Sequence, residues 1–204
     1  MRVAIVGGTG AFGLALARRL VEAGDEVVIG SRDAERATEK AREIGCAGEL
    51  NSNSIEGADL VVLATEASAA IASAQQLQTL VRSPLMSVAS RLEFGSGGAR
   101  PPAEDRSVAE SVSDVVDVPV VAGLHSLAAR TLARGRPDED AFVCGDDAEA
   151  KALGLELAAK VVAGRALDVG PLASARALEG MTAVIVNLNK RYKAHAGIQV
   201  TGLP

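Results

Sequence analysis

The chain has 204 residues, of which 48% are hydrophobic and 23% charged, and its formal net charge is −5. This size and apolar content suit one large domain with at most a small appendage, and they argue against a disordered chain or a nucleic-acid-binding protein. Two cysteines and two histidines are too few for a zinc site of familiar spacing or for a disulfide framework. No apolar run approaches the roughly 18 residues of a membrane span.

The N-terminal residues 1–6 form a short apolar run that we interpret as the first strand of the mature fold. The run is too short for the apolar part of a signal peptide, and no cleavage-type sequence follows it. A cytoplasmic location is therefore expected, and two free thiols are compatible with it.

Short β-branched runs then alternate with alanine-rich helical patterns. Helices are predicted at 13–23, 34–44 and 150–160, the last with Asp146 and Glu149 at the spacing of a helix-capping pair. Strands are predicted at 3–7, 26–30, 60–64, 85–89, 118–123, 141–144 and 165–169. The alternation predicts an α/β protein with a doubly wound, mostly parallel sheet that is covered on both faces.

Two segments break this rhythm. Residues 93–106 hold several glycines and prolines and almost nothing apolar, so we expect a long flexible loop. Residues 172–193 repeat apolar side chains at helical spacing over about six turns, which predicts a long helix with one apolar stripe to bury. We therefore divide the chain into a main domain, 1–171, and a C-terminal helix and tail, 172–204, that caps the sheet and can form part of a homodimer interface.

A glycine-rich turn follows the first predicted strand and opens the first helix. Its residues fit the pattern G-x-G-x-x-G: Gly8, Thr9, Gly10, Ala11, Phe12 and Gly13. In this pattern the first glycine permits the tight turn, the second lets a pyrophosphate approach the backbone, and the third lets the helix pack closely. Exposed amides and the positive end of the helix then hold the anion. The position between strand and helix favours a Rossmann-type dinucleotide site over a turn that binds nothing.

The end of the second predicted strand indicates which dinucleotide binds. NAD-binding proteins place Asp or Glu there for the ribose hydroxyl, whereas this chain has Ser31 and Arg32, with Arg36 one helical turn further on. A hydroxyl and a guanidinium bind the 2′-phosphate that a carboxylate would repel. The sequence therefore favours NADP over NAD. The alternative is that Ser31 caps the next helix and the arginines are solvated surface charges.

Four segments together carry a resemblance to a known family. They are the opening Arg-Val-Ala-Ile-Val-Gly-Gly-Thr-Gly, the strand end at 29–32, Val-Cys-Gly-Asp-Asp at 143–147 and Asp-x-Gly-Pro-Leu at 168–172. In these segments the chain resembles NADPH-dependent reductases of coenzyme F-420, the 8-hydroxy-5-deazaflavin, and the resemblance spans nearly the whole sequence. It implies an oxidoreductase that passes hydride between NADP(H) and F-420, with both bound at the carboxyl ends of the strands.

The resemblance also implies which residues lie at the two ligands. The positions implied for NADP(H), beyond the glycine turn, are Ser31, Arg32, Arg36, Ala64, Thr65, Ala67, Ile71 and Ala129. Ala129 closes the segment 124–129, which resembles the family's loop beside the nicotinamide. Within that segment His125 is the candidate catalytic residue, because it can hydrogen-bond the deazaflavin or stabilise its negative charge. A plain loop histidine is the alternative.

The second substrate is less well defined by the sequence. Family members often have Pro and an aromatic residue where this chain has Glu66 and Ala67, and a carboxylate at this point would repel an anionic substrate. Arg91, Arg100 and Arg106 either close over an anionic substrate tail or do nothing. Two other functions stay open, namely an NADPH-dependent reductase of another small substrate, such as an imine or a hydroxy acid, and a non-catalytic NADP-binding protein. No metal, nucleic-acid or membrane partner is expected.

Overall fold

The computed structural model describes residues 1–103 and 106–203. Its strands are β1 (Arg2–Val6), β2 (Glu26–Ser31), β3 (Ala47–Leu50), β4 (Leu60–Leu63), β5 (Leu85–Ser87), β6 (Glu93–Gly95), β7 (Gly98–Arg100), β8 (Val120–Gly123), β9 (Ala141–Gly145) and β10 (Ala166–Asp168). Its α-helices are α1 (Ala11–Glu22), α2 (Ala34–Arg42), α3 (Asn51–Ser54), α4 (Ala67–Leu77), α5 (Val108–Ser113), α6 (Ala129–Arg134), α7 (Ala148–Val161) and α8 (Ala175–Tyr192), the last preceded by a 3-10 turn at Leu172–Ser174.

Eight of these strands form one sheet in the order β10-β9-β8-β5-β4-β1-β2-β3. The strands from β3 across to β8 are all parallel, β9 runs antiparallel to β8, and β10 is parallel to β9. The expected doubly wound, mostly parallel sheet is confirmed. Because β9 runs back, the segment between β8 and β9 starts and ends at the edge of the sheet where the parallel strands have their carboxyl ends.

Alternating side chains of the central strands bury two cores, one on each face. On one face Val3 and Ile5 of β1 pack with Leu16 and Leu20 of α1, in a cluster that also includes residues of α2, α6 and α7. On the other face Val6 joins a cluster formed with α4, α5 and α8. Each fully buried leucine or isoleucine contributes about 1.5–3 kcal/mol relative to an exposed one, so the helices are held firmly against both faces.

The strand order places a topological switch point beside β1. The chain runs from β1 to β2 and β3 on one side, and then crosses back to β4 on the other side of β1. The helix that follows β1 (α1) packs on one face of the sheet and the helix that follows β4 (α4) packs on the other, so a crevice opens between the carboxyl ends of these two strands. Ligands of open parallel sheets bind in such a crevice.

The segment predicted as a flexible loop, 93–106, contains regular structure, and that prediction was wrong. Strands β6 and β7 pair as an antiparallel hairpin, and Asn187 of α8 holds the hairpin by accepting from the Ala99 amide at 2.8 Å and donating to the Ala99 carbonyl at 2.7 Å. The Asn187 side chain thus forms the two hydrogen bonds that a neighbouring strand would otherwise form with Ala99. The composition of residues 93–106 does not reveal this contact. Residues 104 and 105 lie outside the described residues.

Other boundaries differ from the predictions. The sequence analysis missed β3, and the cap of α7 is Asp147, whose carboxylate accepts from the Ala150 amide at 2.8 Å. Asp146, the predicted cap, instead accepts from the Leu172 amide at 3.0 Å and ties the 3-10 turn to the end of β9. In the described ranges no helix has the length and apolar character needed to cross a membrane.

Candidate functional site

The glycine turn lies between β1 and α1 at the switch point. The Gly8 amide donates to the carbonyl of Ile5 at 3.0 Å and to that of Gly30 at 2.9 Å, so the turn is joined directly to the end of β2. A Cβ atom on Gly13 would lie 2.7 Å from the Gly8 Cα atom, whereas one on Gly10 would meet only the Gly7 carbonyl oxygen at 3.5 Å. Gly13 is therefore required for packing of the helix, and Gly10 leaves its outer side open.

The first turn of α1 offers unoccupied amides to an anion. Its N-cap is Gly10, no side chain of the described residues caps the helix, and its first turn contains no acidic residue. The side chain of Asn51, at the start of α3, accepts a hydrogen bond from the Gly7 amide at 3.2 Å and holds the turn in place. The arrangement fits a dinucleotide pyrophosphate, because uncapped amides and the positive helix end both favour negative charge.

The residues predicted for a 2′-phosphate lie beside this turn. Ser31 is buried at the end of β2, and its hydroxyl accepts from the Asp33 amide at 3.2 Å. Asp33, not Ser31, is the N-cap of α2, since its carboxylate accepts from the amides of Glu35 and Arg36. Arg32 and Arg36 are exposed, and neither forms an ion pair within the described residues. Two free guanidiniums at this edge fit an additional phosphate.

The segment after β4 forms the other wall of the crevice. The Ala64 amide donates to the Val6 carbonyl at 2.9 Å, and the methyl group of Thr65 would lie 2.8 Å from a Cβ atom on Gly7. The Thr65 hydroxyl is buried and has no hydrogen-bond partner in the described chain, so it can bind a ligand. Ala67 and Ile71 are half-buried on α4 and pack against the core of that face.

His125 follows β8 at the same edge of the sheet. Its side chain is 4% exposed, and neither ring nitrogen has a hydrogen-bond partner among the described residues. Burial lowers the pKa of His125 to about 4, and the nearby Ala89 carbonyl opposes this shift only partly. The ring is therefore neutral at pH 7, so it can donate or accept a hydrogen bond but does not bring a positive charge to an anion.

The backbone around His125 is held by residues that the sequence analysis did not single out. Leu124, which precedes His125, has a positive φ of 64°, an uncommon conformation for a leucine. The Thr182 hydroxyl of α8 donates to the His125 carbonyl at 2.9 Å and lies 2.7 Å from the Ser90 hydroxyl. Ser90 follows β5, so this chain of hydrogen bonds joins α8, β5 and β8 at one point.

A cleft of 480 Å³ opens where β4 and β5 end. Its lining residues are Glu66, Ala67, Ser68, Ser90, Arg91, Leu92 and Phe94. Glu66 is one residue away from Thr65, so the cleft adjoins the crevice at the glycine turn. The Phe94 ring, on β6, is 74% exposed at the rim, which is unusual for so large an apolar group on a folded protein.

The structure brings most of the predicted residues to one edge. The glycine turn, Ser31, Thr65 and His125 all follow strands that end there, and Ala129 begins α6, which packs along α1. Asn51, Thr182 and Asn187 were missed, because each acts through a contact with a residue 44 to 92 positions away. Two of the predicted substrate arginines are engaged elsewhere: Arg100 pairs with Glu93 at 2.7 Å and Arg106 with Asp114 at 2.7 Å.

The sheet order, the uncapped glycine turn and the crevice together define a Rossmann-type dinucleotide-binding protein. Residues 2–91 match the family described as NADP oxidoreductase, coenzyme F420-dependent. Two F420-dependent NADP reductases, from Methanothermobacter marburgensis and Methanocaldococcus jannaschii, are each 32% identical to the chain; the alignments cover all of this chain and 100% and 99% of the relatives. The chain belongs to the family of F420-dependent NADP reductases, which confirms the resemblance carried by the sequence motifs.

Solved structures agree with this assignment. A protein from Arthrobacter sp. FB24, described provisionally as an F420-dependent NADP reductase, is 27% identical and matches with a TM-score of 0.84 over 99% of this chain and 100% of the other. The near-complete coverage of both chains means that the C-terminal helix α8 is included in the match.

Proposed function

We propose that the protein is an oxidoreductase that transfers hydride between NADP(H) and coenzyme F-420. The observation that carries this proposal is the juxtaposition of two binding spaces at one edge of the sheet. The uncapped glycine turn opens at the carboxyl end of β1, and the 480 Å³ cleft opens beside it at the ends of β4 and β5. Curated relatives that match the whole chain are named F420-dependent NADP reductases, which supports this choice of ligands.

The work of the protein in this reaction is to position two ligands and to exclude water. When bound, the nicotinamide and the deazaflavin supply the carbon atoms between which the hydride moves. Such a step needs the two rings about 3–3.5 Å apart and needs no acid/base pair from the protein. The residues proposed to hold NADP(H) are Gly8, Thr9, Gly10, Ala11, Phe12, Gly13, Ser31, Arg32, Arg36, Ala64, Thr65, Ala67, Ile71 and Ala129.

His125 is proposed to act as a neutral hydrogen-bonding group beside the reacting rings. Its two ring nitrogens are buried, and apart from the nearby Ala89 carbonyl no hydrogen-bond partner for them is present among the described residues. A buried polar group without a partner costs about 1–3 kcal/mol unless a ligand satisfies it. A low pKa keeps the imidazole uncharged through the physiological range. We therefore expect that protonation of His125 does not change the activity between pH 6 and pH 8.

The proposed function is tested by mixing the purified protein with NADPH and oxidised F-420 and following the deazaflavin absorbance. Loss of that absorbance with stoichiometric oxidation of NADPH supports the proposal. Binding of NADPH without turnover of F-420 would instead identify a non-catalytic NADP-binding protein. Turnover of an imine or a hydroxy acid in place of F-420 would identify a reductase of another small substrate.

A homodimer is also proposed, through an apolar stripe on α8. Val184, Leu188 and Tyr192 lie four residues apart on this helix and are 54%, 37% and 69% exposed. Three large apolar side chains on one helical face form an exposed hydrophobic patch, and such patches often mark an interface. A second copy of the chain would bury this patch. Analytical ultracentrifugation of the wild type and of Leu188→Glu tests this, since the variant is expected to shift a dimer toward monomer.

A further inference from the structure

A second hollow lies at the tip of the β6–β7 hairpin. It has a volume of 480 Å³ between the tip of the hairpin and the last turns of α8. Its lining residues are Ser96, Gly97, Gly98, Asn187, Lys190 and Arg191. A Cβ atom on Gly97 would meet no described heavy atom within 4 Å, so the hairpin tip leaves its backbone open toward the hollow.

The charge at this hollow is positive, although the chain as a whole is negative. No aspartate or glutamate follows Glu179, whereas Lys190, Arg191 and Lys193 all lie in the last part of the sequence. Lys190 and Arg191 are exposed and form no ion pair with any carboxylate of the described residues. These two cations are thus available, unlike Arg100 and Arg106 of the neighbouring segment, which already hold carboxylate partners.

The hollow is continuous with the cleft around the hairpin. A third space of 400 Å³ runs along Glu93–Arg100, sharing Phe94 with the cleft and the hairpin tip with the hollow. Along α8, Thr182 touches Ser90 at the cleft, and Lys190 lies eight residues further on, about 12 Å at the helical rise. A ligand whose ring occupies the cleft can therefore extend a chain of several atoms to these cations.

We infer that this hollow binds the anionic side chain of the deazaflavin, namely its phosphodiester and carboxylate groups, through Lys190, Arg191 and the backbone of the hairpin tip. The inference rests on the proposed function, because it assumes that the deazaflavin ring lies in the cleft. Glycine-rich backbone and paired cations are the groups that hold phosphate and carboxylate oxygens in proteins. The site also explains how the chain accepts an anionic substrate despite the carboxylate of Glu66 at the cleft.

The test compares two deazaflavins by equilibrium binding in the absence of NADP(H). One is F-420; the other is its truncated form, which carries the same ring and sugar-alcohol chain but neither phosphate nor glutamates. The double variant Lys190→Ala/Arg191→Ala is expected to weaken F-420 binding about 10-fold while leaving the truncated form unchanged. Calorimetry or deazaflavin fluorescence gives both dissociation constants, and the F-420 loss is expected to shrink as salt is raised.

A matched control removes two exposed cations elsewhere, in Arg18→Ala/Arg82→Ala, and is expected to bind both deazaflavins as the wild type does. Equal affinity of the wild type for the two deazaflavins would overturn the inference, as would an equal effect of Lys190→Ala/Arg191→Ala on both. A selective loss of NADPH binding in that variant would also overturn it, by assigning the hollow to the nucleotide. If the wild type binds neither deazaflavin, the proposed function itself fails.

Discussion

The nucleotide half of the site and the substrate half are built in different ways. At the nucleotide half, the proposed pyrophosphate site is a run of consecutive residues in one turn, and the partners of that turn are the Ile5 and Gly30 carbonyls of β1 and β2 and the Asn51 side chain. At the substrate half, the cleft and hollow are formed by a hairpin that a single side chain of α8, Asn187, holds in place. The first half is fixed by local backbone geometry and the second by contacts between distant parts of the chain.

This difference predicts how each half responds to substitution. Half of the residues in the glycine turn are glycines, so a change at one of them acts on ligand approach or on packing within a few ångströms. The hairpin is held by α8, so a substitution on that helix is expected to alter substrate binding without altering nucleotide binding. Variants in the two halves should therefore separate NADPH binding from F-420 binding.

The largest expected effect comes from Gly10→Ala. Gly10 has an extended backbone, with φ −75° and ψ 164°, which alanine adopts, and the new Cβ atom would have ordinary contacts within the protein. If the pyrophosphate binds at this turn as proposed, the methyl group would occupy the space that it needs. We expect NADPH affinity to fall about 100-fold, about 3 kcal/mol, with little change in melting temperature. Calorimetric titration and thermal unfolding measure the two quantities.

Gly13→Ala provides the contrast, because its Cβ atom would lie 2.7 Å from the Gly8 Cα atom. This variant is expected to lose about 1–3 kcal/mol of folding free energy as well as affinity. A Gly10→Ala protein that unfolds as readily as Gly13→Ala would show that the open side of Gly10 serves the fold and not the ligand.

Arg32→Ala has the next largest expected effect, and it is confined to the nucleotide half. A guanidinium contact with a phosphate is charge-assisted, so its loss should weaken NADPH by about 10- to 30-fold and leave NADH unchanged. Arg42→Ala, at the other end of α2, is the control and should alter neither. Equal losses for NADPH and NADH in Arg32→Ala would contradict a 2′-phosphate contact at this residue.

The same contrast explains which features the sequence could predict. The positions of the glycine turn and of Ser31–Arg32 at strand ends could be predicted, because they depend on adjacent residues and on strands that hydrophobic patterning reveals. The hairpin at 93–100 could not be predicted, since the Ala99 amide and carbonyl form their hydrogen bonds with a residue 88 positions later. The reversal of β9 is likewise a matter of tertiary pairing, because a buried strand has the same composition in either direction.

Asn187→Ala should affect the substrate half alone. It leaves the amide and carbonyl of the buried Ala99 without partners, so the hairpin is expected to loosen from α8. We expect F-420 to bind about 10-fold more weakly, with NADPH affinity unchanged. Asn189→Ala is the control on the same helix, since the Asn189 side chain accepts from the Ala196 amide and, among the described residues, forms no hydrogen bond with the hairpin. A parallel loss of NADPH affinity in Asn187→Ala would show that the two halves are not independent.

The smallest expected effect on ligand binding concerns Glu179, which joins α8 to α5 near the substrate half. Its carboxylate accepts from the Val108 amide at 2.7 Å, and burial raises the pKa of Glu179 to about 7. Between pH 4.5 and pH 7 the folded protein therefore keeps a proton that the unfolded chain releases, so stability falls as pH rises through this window. Glu179→Gln should remove that fall, which for a pKa raised from 4.5 to about 7 is about 3 kcal/mol, and leave NADPH affinity unchanged. Melting curves of both proteins from pH 5 to pH 8 measure the difference; Glu139, whose pKa burial also raises to about 7, contributes equally to both and cancels. Parallel curves would show that the Glu179 carboxyl ionises normally and that the contact between α8 and α5 does not depend on its proton.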